Sequence, residues 1–130
     1  MPLIALILIV QPVEQGGITG YTWGYNTPLA CPGYVYDCDT SPAWAAFPLE
    51  WFESGAYQCG DSVLISLPSD ERFVVQALDK CPGCLHYGVW DTGLPFVADL
   101  PRHCEWGQIP TQTGRVLNLS LWRRQHSRIR

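Results

Sequence analysis

A chain of 130 residues has room for one domain with a real apolar core and no second large one. Apolar residues make up 47% of it and charged residues 15%, against a usual charged share of about 25%, which excludes a disordered tail, a coiled coil and a solenoid of charged helices. The net charge is −4, but Arg123, Arg124, Arg128 and Arg130 crowd into the last eight residues; without them four basic groups face twelve acidic ones, a net −8, and so acidic a body excludes a nucleic-acid-binding core.

Taken in chain order, Pro2 to Val10 is uncharged and almost wholly aliphatic. It is shorter than the roughly 20 residues that cross a bilayer as a helix. It also lacks the basic start and the small-residue cleavage site of a secretory signal. Leu3 to Val10 is therefore expected to be a buried β-strand, and residues 1–16 an apolar strand or arm. Ile18 to Trp23 reads as a strand between Gly16-Gly17 and Gly24, and residues 25–40 as a Pro/Gly/Cys-rich loop. Ser41-Pro42 ahead of Ala43-Trp44-Ala45-Ala46 has the form of an N-cap with Pro in the first turn, predicting a short helix there. Val63 to Leu67 and Phe73 to Leu78 read as strands of a hairpin turning at Pro68-Ser69-Asp70-Glu71. Leu94 to Leu100 between Pro95 and Pro101 suggests a turn or two of helix, and Val116 to Trp122 alternates as a last strand. Residues 123–130 are a basic tail. With twelve Gly and eleven Pro there is little room for long helices. The pattern predicts a mostly β fold, a small six-stranded barrel with one or two short helices.

Six cysteines, Cys31, Cys38, Cys59, Cys81, Cys84 and Cys104, fit three disulfides in an oxidising compartment, in any of fifteen pairings. Cys81-Pro82-Gly83-Cys84 leaves three readings open. It is a structural disulfide first, then a zinc site drawing on His86, His103 and Cys104, then a redox dithiol. The redox reading needs a helix to follow, and Leu85-His86-Tyr87-Gly88-Val89 does not look like one. Asn118-Leu119-Ser120 matches a glycosylation acceptor but falls in an expected strand.

Three segments carry a family resemblance: Cys59-Gly60-Asp61-Ser62-Val63; Phe73 through Ala77-Leu78-Asp79-Lys80-Cys81-Pro82-Gly83-Cys84; and Val89-Trp90-Asp91 with Pro95-Phe96. Together with Gly20-Tyr21-Thr22-Trp23-Gly24 they resemble the double-psi β-barrel of the expansin, barwin and rare-lipoprotein-A group, over roughly residues 17–122. The resemblance implies a disulfide-stapled domain that binds and remodels cell-wall polysaccharide or peptidoglycan. It makes Asp91 and Asp79 the catalytic candidates, and Thr22, Tyr21, Trp23, Tyr87 and Trp90 the sugar contacts. It implies no cofactor and no metal. The group's usual Asp-Leu-Ser becomes Asp91-Thr92-Gly93 in this alignment.

A two-carboxylate hydrolase needs a base after the Thr22 strand, where Gly24-Tyr25-Asn26 offers none, and Asp37 and Asp39 are the nearest substitutes. A lytic transglycosylase needs one acid, and an expansin none. For Asp79 the leading expectation is a structural carboxylate bonding loop amides. The alternative function is an assembly module, for example a virion or extracellular subunit, that contacts other copies or other chains through residues 1–16 and 123–130. The expected location is extracellular, periplasmic or virion-associated, with no membrane span.

Overall fold

The hairpin expected at Pro68-Ser69-Asp70-Glu71 is present in the computed structural model, which describes residues 7–10, 14–39, 42–88, 93–108 and 115–125. Strand β1 is Ile7–Val10, β2 Glu14–Tyr21, β3 Trp44–Pro48, β4 Ser62–Ser66, β5 Arg72–Cys81, β6 Phe96–Pro101 and β7 Arg115–Gln125; helix α1 is Leu49–Glu53. Between β4 and β5 the Leu67 amide donates to the Glu71 carbonyl and the Asp70 amide to Leu67, each at 2.9 Å. Asp70 sits at φ +75°, the left-handed region that Asp tolerates in turns. Period-2 alternation then sends Val63 and Ile65 of β4 inward against Val75 and Ala77 of β5.

The strands are hydrogen-bonded in the order β1-β7-β2-β6-β3-β5-β4, and β4 also pairs with β7. The pairs β2–β6 and β3–β5 are parallel and the remainder antiparallel. Among the described residues there are seven strands where six were expected. β7 is eleven residues long, enough to pair with β2 near its start, with β4 through its middle, and with β1 from Trp122 to Gln125.

Two helix expectations are corrected. Trp44–Pro48 is a strand, not a helix, and all five of its residues are buried between β5 and β6. A short run buried on both faces is apolar throughout and shows no alternation, so the local capping signal at Pro42 loses to tertiary burial. The helix, α1, begins only after Pro48. Phe96–Pro101 is likewise a strand, seated between β2 and β3, with Pro101 at its end where a missing amide is tolerated.

The main core gathers Phe47, Val63, Ile65, Val75, Val97, Leu100, Leu119 and Leu121. A second cluster, Leu29, Cys31, Tyr36, Trp44 and Leu78, anchors the long loop after β2. All six cysteines pair, as Cys31–Cys59, Cys38–Cys104 and Cys81–Cys84. The first two fasten that loop to the chain after α1 and to the segment after β6. Asn118-Leu119-Ser120 lies within β7, paired with β4, rather than in a surface loop. Among the described residues no helix is long and apolar enough to cross a membrane.

Candidate functional site

Strand register brings two aspartates together. Ala46 of β3 is the partner of Asp79 on β5 and also of Asp99 on β6. The two carboxylates thus leave strands on either side of one small residue. Asp79 is 2% exposed. Its Oδ2 accepts the Tyr21 hydroxyl at 2.6 Å and its Oδ1 the Ala30 amide at 2.8 Å, as a buried charge requires. Burial, and then the charge of Asp79, push the Tyr21 phenol well above its ordinary pKa, so Tyr21 remains a donor.

Asp99 has the opposite surroundings. Its Oδ1 is buried and has no hydrogen-bond partner among the described residues. Burial first, and the Asp79 charge second, push its carboxyl up to about 7, partly opposed by Arg102. Two carboxyl groups with environments this different take different roles at neutral pH: Asp79 is an acceptor, and Asp99 is a group that still carries a proton in part.

An open groove of about 590 Å³ is lined by Trp23, Gly24, Tyr25, Arg102, His103 and Gln108; it is joined to the aspartate pair through Tyr21 and Arg102, and neither Asp79 nor Asp99 lines it. Its two walls are the chain leaving β2 and the chain leaving β6. The Arg102 amide donates to the Tyr21 carbonyl at 2.9 Å, the Tyr36 hydroxyl donates to the same carbonyl at 3.1 Å, and Cys38–Cys104 ties the walls from behind. Trp106 donates its indole N–H to the Trp44 carbonyl at 2.8 Å. Trp23 packs edge-on to Tyr21 at 5.4 Å and stays 45% exposed, while Tyr25 is 62% exposed.

Of the residues singled out from sequence, Asp79, Tyr21 and Trp23 come together here. Thr22 is exposed between Tyr21 and Trp23. Tyr87 is exposed beyond the Cys81–Cys84 turn and does not line the groove. Asp91 and Trp90 lie outside the described residues. Asp37 accepts the Asp39 amide at 2.7 Å and caps its own loop. Asp99, Tyr25 and Arg102 were missed. The signal for Asp99 was available: Asp99-Leu100 is the chain's only Asp-Leu pair, and it precedes a helical turn at 105–108.

The Cys81 and Cys84 sulfurs and an Asp99 carboxylate oxygen lie within 4.8 Å of one another. Both sulfurs are spent on a disulfide, and a thiolate, not a disulfide, is the metal ligand, so this group supplies one ligand and does not fit a metal. His86 meets Glu50, Nε2 to Oε2 3.5 Å.

No family model and no curated protein matches the chain. Among solved structures it is similar to the apo expansin of Clavibacter michiganensis, with a TM-score of 0.53 and 21% identity, covering 89% of this chain and 52% of that one. It is similar also to an aspartate-to-asparagine variant of that expansin in complex with cellohexaose, with a TM-score of 0.52 and 20% identity, covering 88% and 51%. The chain thus spans about half the length of these proteins. The fold is that of an expansin-like double-psi β-barrel.

Proposed function

We propose that this chain binds a cell-wall polysaccharide in the groove beside Tyr21, and that Asp99 is the proton donor where a glycosidic bond is broken there. The observation that carries the reading is the Asp79–Asp99 pair behind an aromatic-lined groove in an expansin-like fold. Trp23 and Tyr25 offer faces for sugar rings, and Arg102, His103 and Gln108 offer donors for hydroxyls. The cellohexaose complex of the Clavibacter michiganensis expansin supports a glycan as ligand. Three disulfides support an oxidising location.

Only one acid is required. Asp99 gives its proton to the bridging oxygen as the bond to the anomeric carbon breaks. A hydroxyl of the same sugar then closes on that carbon and returns a proton to Asp99. Asp79, buried and with both oxygens engaged, is not available to activate water, so hydrolysis by a carboxylate pair is disfavoured. This reading assigns the acid role to Asp99, where the sequence resemblance implied Asp91, because Asp99 combines a charged neighbour with a raised pKa.

Product release from peptidoglycan and from cellulose, read by mass spectrometry, tests this. Anhydro-sugar products that vanish in Asp99→Asn and persist in Asp91→Asn support the assignment. The reverse pattern returns the role to Asp91. No product from the wild type, with glycan still retained, leaves an expansin-type binder. The assembly reading has less support, since β1 and the end of β7 pair with each other in one chain. A large particle in light scattering would revive it.

A further inference from the structure

The groove is an exception to the charge of the chain around it. Outside the last eight residues the cations are Arg72, Lys80, Arg102 and Arg115, against twelve acids. Yet among the described residues the groove lining holds one of those four cations and no carboxylate. Arg102 forms no ion pair among the described residues. Of the two strand aspartates, Asp79 is engaged by Tyr21 and Ala30, and Asp99, pushed up by burial, keeps its proton in part. The Arg102 backbone is fixed by its bond to the Tyr21 carbonyl, and His103 beside it packs edge-on against Tyr36. A guanidinium with no ion pair among the described residues is therefore presented next to the exposed faces of Trp23 and Tyr25.

From this juxtaposition we infer that the groove selects polysaccharides whose sugars carry carboxylates over neutral ones. A ring stacks on the aromatic wall while its carboxylate takes the two parallel N–H bonds of Arg102, the pairing that a planar guanidinium is shaped for. An acidic protein would otherwise repel such a polymer, so the local cation decides the choice. The inference rests on the glycan reading of the groove and names its substrate class.

The test compares binding of the full chain to polygalacturonate and to the same polymer fully methyl-esterified, by affinity electrophoresis and calorimetry. The expected preference for the acid form is about tenfold, the size of one charge-assisted contact, and it shrinks as salt is raised. Arg102→Gln is expected to abolish the preference, bringing the affinity for the acid form down to that for the ester. Arg102→Lys is expected to keep part of it, and Arg72→Gln, distant in sequence from the groove, all of it. Equal affinity for the two polymers, or a preference that survives Arg102→Gln, overturns the selection. If both polymers bind equally and Trp23→Ala weakens both, the glycan reading stands without it. If neither polymer binds, and cello-oligosaccharides and peptidoglycan do not either, the glycan reading itself falls.

Discussion

Asp79 and Asp99 are both registered to Ala46, one from each neighbouring strand, yet one is fully hydrogen-bonded and the other has a buried oxygen with no partner among the described residues. Strand spacing of about 4.8 Å sets their Cα atoms roughly 10 Å apart across β3. Side chains leaving the same level of the sheet then come near enough to feel one another's charge. Tyr21 and the Ala30 amide both donate to Asp79.

Asp99 is expected to make folding less favourable as pH rises. Its folded pKa, about 7, lies above the unfolded value of about 3.9, so between these pH values the folded state holds the extra proton. Stability is therefore lost progressively from about pH 4 to pH 7, by at most about 4 kcal/mol from this group. Asp99→Asn removes the ionisation. It should raise the midpoint of urea unfolding at pH 8 and leave it nearly unchanged at pH 4. A midpoint that shifts equally at both pH values would contradict this. Any cleavage that depends on Asp99 should fall as pH rises past about 7.

Tyr21→Phe deletes the donor to Asp79 Oδ2 without changing the shape of the ring packed among Trp23, Tyr36 and Trp44. A buried carboxylate that loses one of two donors costs about 1–3 kcal/mol. Chemical unfolding at neutral pH should show that loss. Tyr21→Ala should cost more, because it also removes the ring.

How much of this was legible depended on what each signal measures. Turn chemistry at Pro68-Ser69-Asp70-Glu71 is local, and the hairpin was read correctly from it. The run around Trp44 was misread as a helix because Pro42 and three alanines are local signals. What makes Trp44–Pro48 a strand is burial between β5 and β6, which no neighbouring residue encodes. Asp79 was placed as a carboxylate bonding a loop amide, and the Ala30 amide is that partner. Asp99 was missed because Leu94 to Leu100 was read as a helical turn, which hid its Asp-Leu pair. Cysteine pairing was out of reach, since spacing alone does not say that Cys38 and Cys104 meet across the two walls of the groove.

The three disulfides should differ sharply in what they contribute. Cys38–Cys104 spans 66 residues and Cys31–Cys59 spans 28, whereas Cys81–Cys84 spans three. Loop-closure entropy gives about 4 kcal/mol for each of the long links and about 2 kcal/mol for the short one. Paired Cys→Ser replacements, followed by thermal unfolding, should show the smallest loss for the 81/84 pair. The 38/104 pair should in addition loosen the groove, reducing glycan retention in conditions where the protein is still folded.

Gly107→Ala is the substitution that tests whether the groove wall is built from close backbone packing. Gly107 is buried behind Arg102 and His103, and its amide donates to the Cys104 carbonyl at 2.9 Å. A Cβ there would fall 2.1 Å from the Pro101 carbonyl oxygen, a contact with backbone that no side-chain rotation relieves. The chain from Pro101 to Gln108 would have to move outward, carrying Arg102 and Gln108 with it. The expected result is a loss of stability of about 1–3 kcal/mol or more, by the measure of overpacked sites, together with weakened glycan binding. Gly55→Ala supplies the contrast. Gly55 has φ +84° and nothing within 4 Å of the added carbon, so its cost is left-handed backbone strain of about 1 kcal/mol. Binding should be untouched there. If Gly107→Ala proves as mild as Gly55→Ala, and binds as well, the wall is not held by that approach.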